Sequence, residues 1–268
     1  MKFDKSFYPI LKRIALYIIL IYGGLCLYIY SVQESLIFFP VKADYSRQLN
    51  KHSEEIIYKV NGLKLHGWLI NKHLANKKLI VYYGGNAEDV YYNINHFSNL
   101  TAAALLINYR GYGYSEGTPG EEALFSDALK ILQIAKTNYK PKKTIIFGRS
   151  VGTGIASFVA SKVECSGVIL ITPFDSMSNL AGEHYPLYPT SLLLRHKFDS
   201  TRYAPKITSP VLVVYGSKDR IIPNERTENL LNFFKVKYKK VRIDGADHND
   251  IAGYSKYWHE VSKFVDNL

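Results

Sequence analysis

Thr144-Ile145-Ile146-Phe147-Gly148-Arg149-Ser150-Val151-Gly152 decides how this chain is read. An apolar strand-like run enters a G-x-S-x-G pattern, and a helix-like run over Thr153–Val163 leaves it. Strand, sharp turn, helix is the setting in which this motif presents a nucleophile. Such a turn forces the serine backbone into a sparsely populated conformation, and the flanking glycines remove side chains that would clash as the strand folds back. Ser150 is therefore expected to stand above a sheet at a helix N-terminus, with the Val151 amide facing a developing oxyanion.

A serine hydroxyl needs a base, and the base needs an orienting carboxylate. In this setting both follow the serine, carboxylate first. Gly216-Ser217-Lys218-Asp219 comes after the apolar run Val211–Tyr215, and Gly245-Ala246-Asp247-His248 comes after Lys240–Ile243. Asp219 and His248 are thus expected just past the carboxyl ends of two strands, where the catalytic groups of open α/β sheets gather. Asp175 is the alternative carboxylate; it and Asp199 otherwise read as helix caps or lid residues, and Asp247 as surface. The alternative histidines are His184, His196 and His66, the last read as a solvated side chain on an early hairpin. The second oxyanion amide is expected from Tyr83-Gly84-Gly85-Asn86-Ala87, at Asn86 with Ala87 as the neighbouring choice. Arg110-Gly111-Tyr112-Gly113 reads as a structural turn at the rim of the site.

Around this motif, short apolar runs recur at Leu79–Tyr83, Ala103–Asn108, Thr144–Phe147, Val168–Thr172, Val211–Tyr215 and, more weakly, Lys240–Ile243. Amphipathic segments separate most of them, such as Glu121–Lys136, where Ala123, Leu124, Ala128, Leu132 and Ala135 share a face. That alternation predicts the α/β class, a mostly parallel, doubly wound sheet with helices on both sides. Ahead of it, Glu54–Val60 and Leu63–Ile70 are joined by Asn61-Gly62, a two-residue hairpin signal. Phe174–Thr208 breaks the rhythm with Pro186, Pro189 and Pro205 and an apolar stretch, Leu187–Leu194. It is expected to be a lid whose apolar stretch either packs on the core or lines an acyl-chain pocket.

Ile14 to Gln33 carries no charge, and as a helix it would reach about 30 Å, the thickness of a bilayer core. Lys2, Lys5, Lys12 and Arg13 precede it, whereas Lys42 and Arg47 are the nearest basic residues after it. This asymmetry predicts a cytoplasmic N-terminus and a catalytic domain on the extracytoplasmic side. Tyr17, Tyr22, Tyr28 and Tyr30 suit an interfacial or lipid-facing role. A cleaved signal peptide fits less well, because the apolar core is long and Tyr22-Gly23-Gly24 lacks a small first residue; Leu25 likewise disfavours a lipoprotein site at Cys26. The chain divides into a basic tail (1–13), a membrane anchor (14–33), a linker (34–53) and an α/β domain (54–268) with the lid at 174–208.

These motifs together resemble the α/β-hydrolase superfamily, and more narrowly its single-pass, membrane-anchored serine hydrolases, which include depalmitoylases and lysophospholipid lipases. The resemblance runs from Gln33-Glu34-Ser35-Leu36-Ile37-Phe38-Phe39-Pro40 to His248-Asn249-Asp250. It is carried by residues 84–87, Tyr109–Gly113, the Ser150 turn, Pro210–Asp219 with Pro223, and the His248 loop. It implies Ser150 as nucleophile, Asp219 as acid, His248 as base, and Asn86 and Val151 at the oxyanion positions. Many such relatives have His-Gly-Asn where this chain has Gly84-Gly85-Asn86.

The whole chain of 268 residues is 47% hydrophobic and 21% charged, which excludes disordered and collagen-like classes. Its two cysteines, Cys26 and Cys165, suggest neither a disulfide framework nor a zinc knuckle. The formal charge of +11 leaves nucleic acid, membrane or plain solvation open until the lysines are placed. Lys72, Lys77, Lys78, Lys140, Lys142, Lys143, Lys206, Lys235, Lys237, Lys239 and Lys240 fall at strand starts, the end opposite the expected site, so no nucleic-acid partner is read from them. Most read as solvated, with contact to anionic lipid or protein a lesser alternative.

Gly148, Gly152 and Gly154 also spell a short-chain dehydrogenase fingerprint. They follow several strands rather than the first, and no downstream tyrosine has a lysine four residues on. The expected function is a membrane-anchored serine hydrolase that cleaves acyl esters or thioesters through an acyl-enzyme, with no metal or organic cofactor. An amidase or peptidase with the same triad, or a non-catalytic membrane scaffold on this fold, are the alternatives.

Overall fold

The computed structural model describes residues 8–43 and 53–268. Asn61 and Gly62 both take positive φ, 50° and 82°, and close β1 (Ser53–Val60) onto β2 (Leu63–Ile70) in the expected hairpin. β2 also pairs antiparallel with β4 (Ala103–Ile107). From there the sheet is parallel through β3 (Lys78–Tyr83), β5 (Lys143–Arg149), β6 (Gly167–Ile171), β7 (Val211–Gly216) and β8 (Tyr238–Ile243). The spatial order is β1-β2-β4-β3-β5-β6-β7-β8. The chain therefore leaves β3 toward β4 and returns to β5 on its other side, which opens a crevice beyond the carboxyl ends of β3 and β5.

Burial on both faces explains the near-continuous apolar strands. Leu79, Val81 and Ile146 point into one core layer with α3 (Glu121–Tyr139) and α4 (Val151–Ala160). Ile80, Tyr82, Ile145 and Phe147 point into the other with α2 (Ile94–Ser98) and α8 (Ser255–Asp266). β8 starts two residues before its apolar signal because Tyr238, Lys239 and Lys240 are exposed on an edge strand. Several lysines at this end are paired: Lys240 with Glu228 at 2.9 Å, Lys239 with Glu260, and Lys72 with Glu54 at 2.8 Å.

α1 (Tyr8–Ile37) is long and apolar enough to cross a membrane. It overruns the charge-free window 14–33 at both ends, since Lys12, Arg13 and Glu34 are good helix formers and the next breaker is Pro40. The stretch 34–53 expected as a linker thus begins as a helical turn, and Ile37 and Phe38 are buried. Phe38 stands edge-on to Phe198, with ring centroids 6.2 Å apart. Residues 44–52 of that linker, with Arg47, and Lys2 and Lys5 of the basic tail lie outside the described residues.

The lid carries α5 (Met177–His184) and α6 (Thr190–Leu193), then two short 3-10 turns at Ser200–Arg202 and Ala204–Lys206. The Ser176 side chain caps α5 by accepting from the Asn179 amide, and Asp199 caps the first 3-10 turn. The helix α7 (Asn224–Leu231) follows β7.

Candidate functional site

Two backbone contacts shape the turn after β5. A Cβ on Gly152 would lie 2.1 Å from the Tyr83 carbonyl oxygen, and one on Gly148 would lie 2.5 Å from the Gly152 carbonyl oxygen. Only glycine admits α4 this close to β3 and β5. Between them Ser150 takes φ 52° and ψ −123°, a strained conformation for a residue with a side chain. Val151 opens α4, so its amide has no acceptor within the helix and faces the crevice end.

His248 Nε2 lies 2.9 Å from Ser150 Oγ, and His248 Nδ1 lies 2.8 Å from Asp219 Oδ2. Both the imidazole and the carboxylate are buried, with side-chain exposures of 5% and 1%. Asp219 Oδ1 accepts from the amides of Ile221 and Ile222, which orients the carboxylate. A hydroxyl, imidazole and buried carboxylate in this series is the geometry that acyl transfer by serine requires. Asp247 fastens the two loops together. It accepts from the Arg220 amide, the His248 amide and the Arg220 guanidinium, which in that order hold its carboxyl at about 2, below the ordinary 3.8. The sequence had suggested only a surface residue there.

The loop after β3 passes close by: a Cβ on Gly85 would stand 3.7 Å from Ser150 Cβ. Asn86, Ser150 and Val151 line one cavity. The Asn86 side chain donates to the Ile37 carbonyl at 2.6 Å and accepts from the Phe39 amide at 3.0 Å and the Tyr112 hydroxyl at 2.6 Å. The Arg110–Gly113 turn is structural as expected, and through Tyr112 it also braces Asn86. Gly84 has its own explanation, because a side chain there would meet Glu88 Oε1 at 2.8 Å. Glu88 fills that space, accepting from the Gly85 amide, the Tyr82 hydroxyl, Asn93 and Arg149. Burial, and then the Glu88 charge, hold the Tyr82 phenol well above its usual range, so it serves as a donor. Arg149 also reaches the His248 carbonyl at 3.4 Å, so Glu88 and Arg149 connect three loops around Ser150. Sequence reasoning missed both; Arg149 sits in the variable position of the motif, and nothing in the pattern marks it.

The alternatives fall elsewhere. Asp175 is wholly buried in another network, bound by the Ser176 amide, Asn179, Asn229 and Arg226. His184 lines the cavity but lies 3.3 Å from the Ile221 carbonyl rather than against Ser150. His196 meets the Glu121 amide and packs on Phe38. His66 is not solvated as expected. It is buried, 2.7 Å from Glu55 and edge-on to Trp68 and Tyr114, because later loops cover the β2 face.

The cavity at Ser150 measures about 510 Å³, within the range of small-molecule sites. The lid supplies Met177, Leu180, Tyr185, Tyr188 and Leu194 to its largely apolar wall. Leu187–Leu194 therefore divides: Tyr188 and Leu194 are buried toward the cavity, whereas Leu187 and Leu192 are 77% and 76% exposed. α1 contributes Ile29, Gln33, Leu36 and Ile37 to the same lining, and no local pattern announces a contact between segments so far apart in the chain.

The fold and this crevice define a serine hydrolase with the α/β-hydrolase fold. The chain belongs to the family described as serine hydrolase (FSH1), whose model matches residues 91–248, more than half of the chain. It is 28% identical over 240 residues to the uncharacterized protein Rv2307c of Mycobacterium tuberculosis, covering 86% of this chain and 85% of that one. It is 29% identical to the alpha/beta hydrolase domain-containing protein 17C of Mus musculus over 72% of this chain and 61% of the mouse protein. Among solved structures, the Pyrococcus furiosus esterase Pf2001 superposes with a TM-score of 0.70 at 17% identity, covering 86% of this chain and 99% of that one. The acetyl xylan esterase from Paenibacillus sp. R4 gives 0.67 at 15% identity, with 93% of each chain covered. These structural likenesses share the fold.

Proposed function

We propose that this chain is a membrane-anchored hydrolase of acyl esters or thioesters with an apolar chain, acting through Ser150, His248 and Asp219. The observation that carries it is the hydrogen-bonded series Asp219–His248–Ser150, whose serine lines a largely apolar cavity. His248 Nδ1–H donates to Asp219, which fixes the tautomer whose Nε2 accepts the Ser150 proton. Ser150 Oγ attacks the acyl carbonyl, and the amides of Val151 and Asn86 hold the oxyanion at the positive end of α4. His248 then returns its proton to the leaving alcohol or thiol. Water, deprotonated by the same imidazole, releases the acid from the acyl-enzyme.

In this reading α1 stays attached as a single-pass anchor with its N-terminus in the cytoplasm and residues 53–268 on the far side. Its outward residues are exposed and apolar, such as Ile18, Ile21 and Leu27, and Lys12 and Arg13 lie near its start. A cleaved signal fits poorly with a helix whose last turns wall the cavity. A fluorophosphonate probe tests the triad: wild type is labelled and Ser150→Ala is not. Wild type as resistant to the probe as Ser150→Ala would overturn the reading.

A further inference from the structure

α1 meets the lid at a few points along its second half. The Tyr22 hydroxyl donates to the Leu187 carbonyl at 2.8 Å, and Cys26 is buried one turn further on. Gln33 is 1% exposed and clamps the lid from both ends of its amide. Its Nε2 donates to the carbonyls of Tyr30 and Leu193, and its Oε1 accepts from the Arg195 amide at 2.7 Å. Arg195 also pairs with Glu34 at 3.3 Å. On the face between these fastenings, Ile29, Gln33, Leu36 and Ile37 recur at helical spacing along the cavity that holds Ser150.

Length locates this seam. The part of α1 ahead of Tyr22 starts at Tyr8 and reaches about 21 Å, less than the roughly 30 Å of a hydrocarbon core. A membrane crossed by α1 must therefore extend past Tyr22, alongside the lid. There the lid shows lipid-compatible side chains, with Leu187 and Leu192 more than three-quarters exposed and Tyr185 about half. The first charges on the seam, Glu34 and Arg195, come only at its far end, a level suited to the headgroups.

We propose that the last turns of α1 are a wall of the acyl site as well as a tether. The acyl chain of a lipid ester resident in the bilayer passes laterally from the leaflet between α1 and the lid, along Ile29 and Leu36, and brings its carbonyl to Ser150. This rests on the anchored, Ser150-dependent reading above. Ile29 sits two turns from Ile37, about 12 Å along the axis, so it meets the distal part of a long chain and not a short one. Ile29 and Leu36 are accordingly specificity-determining residues.

The full chain, reconstituted in phosphatidylcholine vesicles, is assayed with p-nitrophenyl palmitate and p-nitrophenyl butyrate, and the ratio of their kcat/KM values is read so that any general loss cancels. Ile29→Trp is expected to lower the palmitate-to-butyrate ratio on the order of tenfold. Leu27→Trp, on the outward face at nearly the same depth, is expected to leave it within about twofold. A ratio unchanged within threefold in Ile29→Trp, or an equal fall in Leu27→Trp, overturns the proposal. If Ile29→Trp does not accumulate, Ile29→Ala replaces it, and its wider channel must move the ratio by more than threefold. Fluorophosphonate labelling of Ser150 run to completion separates the two readings. Unlabelled wild type defeats the triad, whereas full labelling with an unmoved ratio defeats the α1 wall alone.

Discussion

The turn after β5 and the seam between α1 and the lid border one cavity, and different forces hold them. At the turn, glycines let backbone touch backbone, and the position of Ser150 follows from atoms that cannot yield. At the seam, a few side-chain hydrogen bonds and apolar contacts join two elements whose outer faces are exposed. The proposed mechanism places chemistry on the stiff side and chain recognition on the compliant side. This division suits an enzyme whose reacting carbonyl needs a narrow geometry while its apolar chain does not.

The largest effect expected from breaking this contrast is at the stiff side. Gly152→Val forces a branched side chain onto the Tyr83 carbonyl and should cost more than about 3 kcal/mol, so that thermal unfolding drops by about 10 °C or soluble protein is lost. A melting temperature within about 3 °C of wild type would show that the turn yields after all. On the compliant side, Gln33→Leu leaves the Arg195 amide and the Leu193 carbonyl without their partner, a loss of about 1–3 kcal/mol. Its signature is a smaller drop in melting temperature joined to a lower palmitate-to-butyrate ratio; the temperature drop without the change in ratio would mean that the seam only stabilises.

The smallest effect concerns pH. The Asp247 carboxyl is depressed from 3.8 to about 2, so its contribution to stability is fully present above the ordinary value and is lost as pH falls through the lower one. The stability difference between wild type and Asp247→Asn, measured by denaturant titration, should stay level from about pH 8 to 5 and shrink between about 4 and 2. A difference that fades already near pH 6 would assign the fastening to another group.

What was legible in the chain follows the same contrast. The approach of Ser150, Asp219 and His248 could be anticipated because each stands just after a strand, in a turn governed by nearest neighbours in sequence. The Asn61-Gly62 hairpin and the parallel strands were legible for the same reason. Gln33 could not be read as a clamp, since its partners lie 160 and 162 residues away. Glu88 and Arg149 likewise meet across 61 residues with no periodicity to announce them, and His66 was misread because the loops that bury it come later in the chain.

α1 is fastened at Tyr22, at Gln33 and, through Asn86, at its carboxyl end. Three fixings along the second half of one rod restrain swivel and tilt, so the domain is not a ball on a string. With α1 in a bilayer, as proposed, the domain would present one face to it, and every encounter between cavity and lipid would start from one orientation. On that reading the search for substrate loses its angular part and one of its three translations, leaving a walk in a plane.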